Sequence, residues 1–422
     1  MRKSKQTNSI AWNLIILYLI LVFIGWINIY SASKTDIHFE IFDFSSKYGK
    51  QLLWIGVSLI TASIILFVDT RFFQQFSSIF YIFSILTLIG LFVFGKTVNG
   101  ATSWYSIGSF TLQPTEFTKI AVALGVAKLL GDKQFDLKNF NNQIIAFVLL
   151  IIPSILIILQ PDPGSALVYF SFFFVFYREG LPKYYIVLSI TFLISALLII
   201  KFGYLYLEIL TFIIFITFLF YIYKYKTHFL RKNILLYFSL YIGFSIFIFT
   251  VSFTFKHLPQ RHIDRINLAL NIVKDTKNKG YNTEQSKIAI GSGGFFGKGF
   301  LQGTQTKGDF VPEQHTDYIF STVGEEWGFL GSSIVIILFV LFILQIIRIA
   351  ELQKTKFSRV YGYGIASIFF FHFTINIGMA IGILPTIGIP LPFFSYGGSS
   401  ILAFSILLFI FIDLDANKGN EW

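Results

Sequence analysis

The chain has 422 residues, of which 55% are hydrophobic and only 13% are charged, and its mean hydropathy is +0.70. Charge this sparse excludes a soluble globular domain and predicts a helical protein that crosses a membrane many times. The formal net charge of +11 is better explained by cytoplasmic lysines and arginines than by nucleic-acid binding. The absence of Cys excludes disulfides, iron–sulfur clusters and thiol catalysis.

Twelve apolar segments along the chain are candidates to cross the hydrocarbon core of a bilayer. They lie near 11–33, 51–68, 77–95, 114–130, 143–160, 164–178, 184–201, 205–223, 233–255, 318–347, 360–384 and 396–413. The first is too long for the core of a signal peptide, so we expect it to be retained. The fourth contains Glu116 and Lys119 and the sixth is short, which makes them the weaker candidates. The predicted fold is an all-α bundle of about 10 to 12 transmembrane helices.

Lys and Arg are distributed unevenly between alternate loops. With the N-terminus inside, the inside segments carry 18 of these residues and the short outside loops carry 5. This bias is typical of cytoplasmic loops. An even number of spans then puts the terminal residues 1–10 and 414–422 in the cytoplasm and the long loop 256–317 outside. We therefore expect one membrane domain over residues 1–422, with both termini in the cytoplasm.

The loop 256–317 is the only long polar stretch between apolar segments, and loops of this length are usually functional or disordered. Its glycine-rich run at 291–299 superficially resembles a nucleotide-binding motif. The Walker pattern fails, however, because Ser292 stands five residues before Gly297 and Gly299 follows the lysine. An outside loop also cannot meet cytoplasmic ATP or NAD. We therefore look for a different chemistry in this loop.

Charged residues inside apolar segments are functional candidates because burying them is expensive. Glu116 and Lys119 open the fourth span and are three residues apart, so they share a helix face and can neutralise one another. A purely structural ion pair is the alternative. Asp162 stands between the fifth and sixth spans at the outer surface, and it could equally cap the next helix.

Acidic residues also begin the tenth span. Asp317 is followed by the adjacent pair Glu325 and Glu326. At about 100° per residue this pair faces two different surroundings, so we expect at least one of the two to face the protein interior. The last outside loop contains a Ser-Tyr-Gly-Gly-Ser-Ser run at 395–400, whose glycines would let a backbone or a lipid head group come close. A tight re-entrant turn is the alternative.

Several of these runs occur in the same order in the SEDS family of membrane proteins (shape, elongation, division and sporulation). The chain resembles this family over nearly its whole length. The matching runs are 99–104, 113–116, 160–162, 288–299, 303–305, 315–317, 324–326 and 391–399. The run 288–299, with the Gly-Thr-Gln that follows it, is more similar to the elongation branch of the family than to the division branch.

The resemblance implies a peptidoglycan glycosyltransferase that polymerises lipid II into glycan strands during cell elongation and releases undecaprenyl diphosphate. The family's catalytic aspartate lies six residues before the Tyr of a Gly-Tyr pair in the large outside loop. Here Gly280 and Tyr281 form that pair, so the resemblance assigns the role to Asp275. Glycosyl transfer needs a base that takes the proton from the acceptor hydroxyl. Without the resemblance, Asp275 is a solvated acid among lysines.

The resemblance also implies a set of substrate-binding residues. They are Trp104, Glu116, Lys119, Asp162, Lys298, His315, Asp317, Glu325, Ser395 and Tyr396. The diphosphate leaving group needs positive charge, which could come from Lys119, from Lys298, from the Arg261 and Arg265 pair, or from a divalent cation such as Mg²⁺ or Mn²⁺. No other cofactor is expected.

Partners follow from what the chain lacks. It has no outside domain with a Ser-x-x-Lys active site for cross-linking peptides. The resemblance therefore implies a separate class B penicillin-binding protein, a transpeptidase, together with other proteins of the elongation complex and membrane lipids. Nucleic acid is not an expected partner.

The chain departs from the family pattern in several places. Thr276 stands where a proline usually follows the catalytic aspartate, and Ser103 where an arginine usually precedes the Trp. The region 164–255 holds four apolar segments instead of two, which leaves the parity of the spans unchanged. Two other functions stay open, a lipid II flippase or transporter with polar groups near mid-membrane and a non-catalytic scaffold of the cell-wall machinery. A scaffold would tolerate the loss of Asp275.

Overall fold

The computed structural model describes residues 10–33, 43–98, 100–108, 110–225, 234–258, 260–269, 272 and 280–419. Within these ranges, ten helices are long and apolar enough to cross a membrane. The predicted all-α membrane fold is therefore confirmed. The candidate base Asp275 lies outside the described residues, and so do the side chains of Arg261 and Arg265.

The long helices account for most of the chain. They are α1 (Trp12–Ser33), α2 (Lys47–Ile65), α3 (Thr70–Phe94), α4 (Pro114–Gly131), α5 (Phe140–Leu159), α8 (Tyr184–Phe202), α9 (Tyr204–Tyr225), α10 (Ile234–His257), α14 (Ile319–Glu351), α15 (Lys356–Ala380) and α16 (Gly398–Ala416). The shorter helices are α6 (Pro163–Leu167), α7 (Phe172–Arg178), α11 (Gln260–Ala269), α12 (Tyr281–Ser292) and α13 (Thr304–Lys307).

Three short strands interrupt the helices between α3 and α4. They are β1 (Lys96–Val98), β2 (Ala101–Ile107) and β3 (Phe110–Leu112), and they pair in chain order as an antiparallel sheet. Hydrogen bonds connect the sheet to neighbouring elements. Thr102 N donates to Gln160 O over 3.1 Å, and the Tyr105 hydroxyl donates to Thr87 O over 2.8 Å.

The fourth and sixth segments, which the sequence marks as the weaker candidates, differ from the other spans in burial and in regularity. The fourth segment is a regular helix, α4, but its three charged residues make it less apolar than the ten candidate membrane helices. Fourteen of its 18 residues are buried, so protein rather than lipid surrounds it. The sixth is broken into α6, a 3₁₀ turn at Val168–Ser171 and α7.

The chain divides into two compact units. Residues 183–281 form one unit, which contains α8 to α11, and the remaining residues form the other. In the smaller unit, Ile199, Leu207 and Ile248 make a small buried cluster. Glu208 of α9 accepts a hydrogen bond of 2.7 Å from the Ser245 hydroxyl of α10. In the larger unit, α15 and α16 are the most enclosed of the long apolar helices. Every candidate residue whose side chain the structure describes belongs to this unit, whereas Asp275, Arg261 and Arg265 belong by number to the smaller one.

Candidate functional site

The start of α4 carries a buried ion pair. Gln113 precedes the helix and Pro114 opens it, a position that suits proline because the first amides need no helical partner. Lys119 Nζ lies 2.8 Å from Glu116 Oε1, and the two side chains are only 2% and 3% exposed. The predicted sharing of one helix face is confirmed. Among the described residues, Glu116 Oε2 has no hydrogen-bond partner.

The sequence did not identify the third member of this cluster. His372 of α15 is buried, and its Nε2 lies 3.1 Å from Lys119 Nζ. Because an ammonium can only donate, Nε2 accepts, and the proton on Nδ1 is donated to Pro390 O over 3.0 Å. Lys119 Nζ also lies 4.8 Å from the centre of the Phe404 ring. A lone histidine in the apolar eleventh segment was the signal available in the sequence.

Asp162 caps a helix. It precedes α6 and accepts from Ser165 N at 3.1 Å and from the Ser165 hydroxyl at 2.8 Å. Its Oδ2 also lies 3.4 Å from Gln113 Nε2. The capping alternative is therefore confirmed, and the half-buried carboxylate also connects α6 to the residue that precedes α4.

Glu325 fastens the outer loop to α14. It is fully buried, and it accepts from Lys298 Nζ at 2.7 Å, from Gln305 N at 2.8 Å and from Thr306 N at 2.9 Å. Its neighbour Glu326 is also buried and accepts from the Ser31 hydroxyl. The two adjacent acids do face different surroundings, and both of them face the interior.

The glycine-rich run has a structural explanation in this fold. A Cβ at Gly293 would collide with the carbonyl of Gly324, and one at Gly297 would collide with the carbonyl of Glu326. Gly328 has φ +65°, which breaks the regularity of α14 where it meets this run. The glycines therefore allow the backbone of the loop to lie directly on α14.

The loop between α15 and α16, the predicted last outer loop, is joined to the segment before α14. The Ser395 hydroxyl donates to Thr316 O over 2.6 Å and accepts from Leu391 N over 2.9 Å. Tyr396 N donates to His315 O over 2.8 Å. These bonds bring four predicted site residues, His315, Asp317, Ser395 and Tyr396, into one patch, which is the predicted outer patch.

His315 lies in a polar environment within this patch. Its Nδ1 lies 3.4 Å from Lys47 Nζ. Burial and the nearby Lys47 charge lower the pKa of His315, although Glu313 and Asp309 oppose the shift. The ring borders a cavity of about 550 Å³ that also has Lys47, Asp309 and Glu313 on its wall. Burial raises the pKa of Tyr396, so both groups are neutral near pH 7.

Trp104 lies in β2, opposite Lys96 of β1, and is half-buried. Ser103 beside it, the residue that replaces the family's arginine, is buried. Trp104 thus belongs to the sheet that precedes α4, whereas Lys298 belongs to the loop packed on α14 and Glu325 belongs to α14 itself.

An apolar cavity of about 590 Å³ runs beside α4. Its walls come from α2, α3, α4, α16 and the sheet, and they include Tyr105, Pro114, Phe117 and Leu124. The ten residue steps from Pro114 to Leu124 span about 15 Å along the helix axis. The cavity therefore extends from the sheet through much of an apolar leaflet, and its lining suits a hydrocarbon chain.

The described side chains do not fit a divalent cation. Across the described ranges, no three His, Asp or Glu side chains converge as ligands. The free oxygen Glu116 Oε2 lies on a carboxylate whose charge the Lys119 ammonium already balances. No step below is assigned to a metal ion.

These features define a multi-pass helical membrane protein with a buried charged cluster, an adjoining apolar cavity and a joined outer patch. The chain belongs to the FtsW/RodA/SpoVE family of cell cycle proteins, whose model matches residues 11–209 and 206–420.

Relatives in this family align with the chain over most of their length. It is 33% identical to the peptidoglycan glycosyltransferase RodA of Treponema pallidum (strain Nichols), covering 96% of this chain and 97% of that protein. It is 32% identical to the peptidoglycan glycosyltransferase MrdB of Escherichia coli (strain K12), covering 92% and 88%.

Solved structures share the fold. RodA of Thermus thermophilus, a rod shape determining protein, matches with a TM-score of 0.63 and 22% identity over 97% of this chain and 98% of that one. A chain from a peptidoglycan synthase complex, described as coordinating polymerization and crosslinking, matches with a TM-score of 0.70 and 24% identity over 98% and 99%.

Proposed function

We propose that this chain is a peptidoglycan glycosyltransferase that polymerises lipid II into glycan strands and releases undecaprenyl diphosphate. The observation that carries the proposal is the apolar cavity beside α4, which begins next to the sheet that bears Trp104. A lipid-linked sugar needs this combination of a hydrocarbon slot and a polar surface at its end. The names of the relatives from Escherichia coli and Treponema pallidum support the same activity.

The reaction forms one bond and breaks one bond. The 4-hydroxyl oxygen of the acceptor sugar attacks the anomeric carbon of the donor, and the carbon–oxygen bond to the diphosphate breaks. Asp275 accepts the hydroxyl proton as general base, and the diphosphate leaves with the electron pair. The assignment of Asp275 rests on the family resemblance.

Positive charge has to stabilise the leaving diphosphate. Lys119 and Lys298 are each paired with a buried carboxylate, at 2.8 Å and 2.7 Å. Each therefore offers less to the diphosphate than an unpaired ammonium would. The remaining positive charge for this role is assigned to Arg261 and Arg265, which the sequence places in the same loop as Asp275.

The remaining site residues divide by exposure into two groups. The half-buried side chains are assigned to direct contact with substrate, and they are Trp104, Asp162, His315, Asp317 and Tyr396. The buried ones hold the backbone and the charges that surround the substrate, and they are Glu116, Lys119, Glu325 and Ser395. Lys298, which is 25% exposed, connects the two groups.

The whole chain acts as one membrane domain in the cytoplasmic membrane of a bacterium. Both termini are cytoplasmic, and the loop 256–317 is extracytoplasmic. A class B penicillin-binding protein supplies the cross-linking activity and, with other proteins of the elongation complex, binds this chain in the membrane. The fold shared with the synthase-complex chain supports this partnership.

The proposal is tested with the purified full chain and fluorescent lipid II. A ladder of glycan strands on a gel is the expected result. If no ladder forms and the chain instead moves lipid II across proteoliposome membranes, it is a flippase. If it does neither, alone or with its transpeptidase partner, it is a scaffold, and the proposal is wrong.

A further inference from the structure

Two polar residues on one face of α15 hold consecutive carbonyl groups of the last outer loop. His372 Nδ1 donates to Pro390 O over 3.0 Å, and Asn376 Nδ2 donates to Ile389 O over 2.8 Å. The two residues are four apart, so they lie one above the other on the helix. Both are buried. The loop is therefore fixed by side chains of α15 at two successive residues.

Asn376 extends this connection to a second segment. The same amide nitrogen donates to Asp317 O over 2.9 Å. Asp317 immediately precedes the residues that begin α14, and its neighbour Thr316 accepts from Ser395. One buried amide thus joins the last outer loop and the His315–Asp317 segment.

His372 extends the connection in the opposite direction, into the buried charged cluster. Its second nitrogen accepts from Lys119, which is paired with Glu116. The two nitrogens of an imidazole lie on opposite sides of the ring, so one side chain can bridge α4 and the outer loop. A continuous path of hydrogen bonds runs from Glu116 through Lys119 and His372 to Pro390.

We propose that His372 and Asn376 are positioning residues for the transferase. They hold the outer segment that carries Ser395 and Tyr396 in place relative to the Glu116–Lys119 pair. This inference rests on the proposed function, because it concerns the geometry of the same site. Neither residue needs to contact substrate.

Loss of either residue has a defined consequence. The loop loses one of the two hydrogen bonds that His372 and Asn376 donate to it. It then occupies the productive arrangement for only part of the time. The ratio kcat/KM falls for this reason, because Tyr396, which is assigned to substrate contact, moves with the loop. A carbonyl left without its donor in a buried site also favours exposure of the loop.

Conservative replacements separate the two bonds of His372. In His372→Asn the amide lies near the position of Nδ1, so it can reach Pro390 but not Lys119. In His372→Gln the amide lies near the position of Nε2, so it can reach Lys119 but not Pro390. If the role of His372 is to hold the loop, the His372→Asn variant keeps the parent activity and the His372→Gln variant does not.

The experiment measures kcat, KM and loop exposure in the same set of variants. Ile389 is 1% exposed, and the chain contains no Cys, so Ile389→Cys provides a single buried thiol as the common background. A thiol reagent then reports how often the loop opens. Asn28→Ala is the matched control for Asn376→Ala, because Asn28 is also buried but bonds only Ile24 of its own helix.

We expect His372→Ala, His372→Gln and Asn376→Ala to lower kcat/KM about tenfold, with faster labelling at position 389. His372→Asn and Asn28→Ala should behave as the parent does. Rescue by Gln but not by Asn, or unchanged kcat/KM and labelling in all variants, would overturn the inference. A parent chain that labels slowly but polymerises nothing would instead refute the proposed function.

Discussion

Lys298 and Glu325 form an ion pair in which Nζ lies 2.7 Å from Oε1, and the carboxylate is fully buried. Glu325 also accepts from two backbone amides, those of Gln305 and Thr306. The sequence predicts both charged residues as substrate ligands. In the structure their first task is to hold the loop on α14.

This pair predicts a large effect on stability. Glu325→Ala leaves the Lys298 charge and two buried amides without their acceptor, so we expect the free energy of unfolding to fall by about 3–5 kcal/mol. The control is Glu284→Ala, which removes the 39% exposed partner of Lys287 and should cost about 0–1 kcal/mol. Denaturant titration of the purified variants measures both. Equal effects would show that Glu325 does not fasten the loop.

The Glu116–Lys119 pair predicts an asymmetric response to charge reversal. Either single change to Ala leaves one buried charge uncompensated, so activity should fall steeply. The double reversal Glu116→Lys with Lys119→Glu restores the pair and should fold. It should stay poorly active, because the charges that surround the substrate are then reversed in place. Full activity in both single variants would make the pair incidental to function.

His315 predicts a pH dependence of stability. Its pKa in the folded chain is lowered by burial and by Lys47, so the unfolded chain takes up the proton first as the pH falls. This contribution to stability is complete above about pH 6.5, the usual His value, and declines below it until the folded-state pKa is passed.

Variants isolate this contribution in thermal unfolding scans from about pH 8 to about pH 5. His315→Gln should flatten the acid decline, and Lys47→Gln should flatten it partly because a repelling charge is gone. Lys50→Gln, which removes an exposed lysine one turn further along α2, should leave the decline unchanged. A steeper decline in Lys47→Gln would contradict the stated cause of the lowered pKa.

The proposed orientation predicts which positions a membrane-impermeant thiol reagent reaches. Cys placed singly at Lys96 or Lys287 should be labelled on intact spheroplasts, because both lie on the extracytoplasmic side. Cys at Lys133, which is also exposed, should be labelled only after the membrane is opened. The reverse pattern would place the long loop in the cytoplasm and remove it from lipid II chemistry.

Local features of this fold could be predicted from sequence because they depend on spacing. Glu116 and Lys119 are one helical turn apart, and Asp162 precedes a proline at a helix start, so their contacts follow from helix geometry. The apolar segments predicted the long helices for the same reason. The ten candidate membrane helices of the described ranges agree with the predicted 10 to 12, and the two segments predicted to be weaker are α4 and the broken α6–α7 region.

Long-range contacts could not be predicted in this way. His372 is 253 residues from Lys119, and no local pattern states which charged residue a buried histidine will meet. The glycine run at 291–299 was recognisable as special, but its reason is the carbonyls of Gly324 and Glu326 on a later helix. Such contacts depend on how the helices pack.

Asp275 provides the most direct test of the central claim. Asp275→Asn keeps size and polarity but cannot accept a proton at neutral pH. The control is Asp264→Asn in the same outer loop, where the wild-type carboxylate accepts from Gln260 at 3.0 Å. With purified proteins and labelled lipid II, we predict that Asp275→Asn makes almost no glycan while Asp264→Asn makes the wild-type ladder. A wild-type ladder from Asp275→Asn would contradict the account.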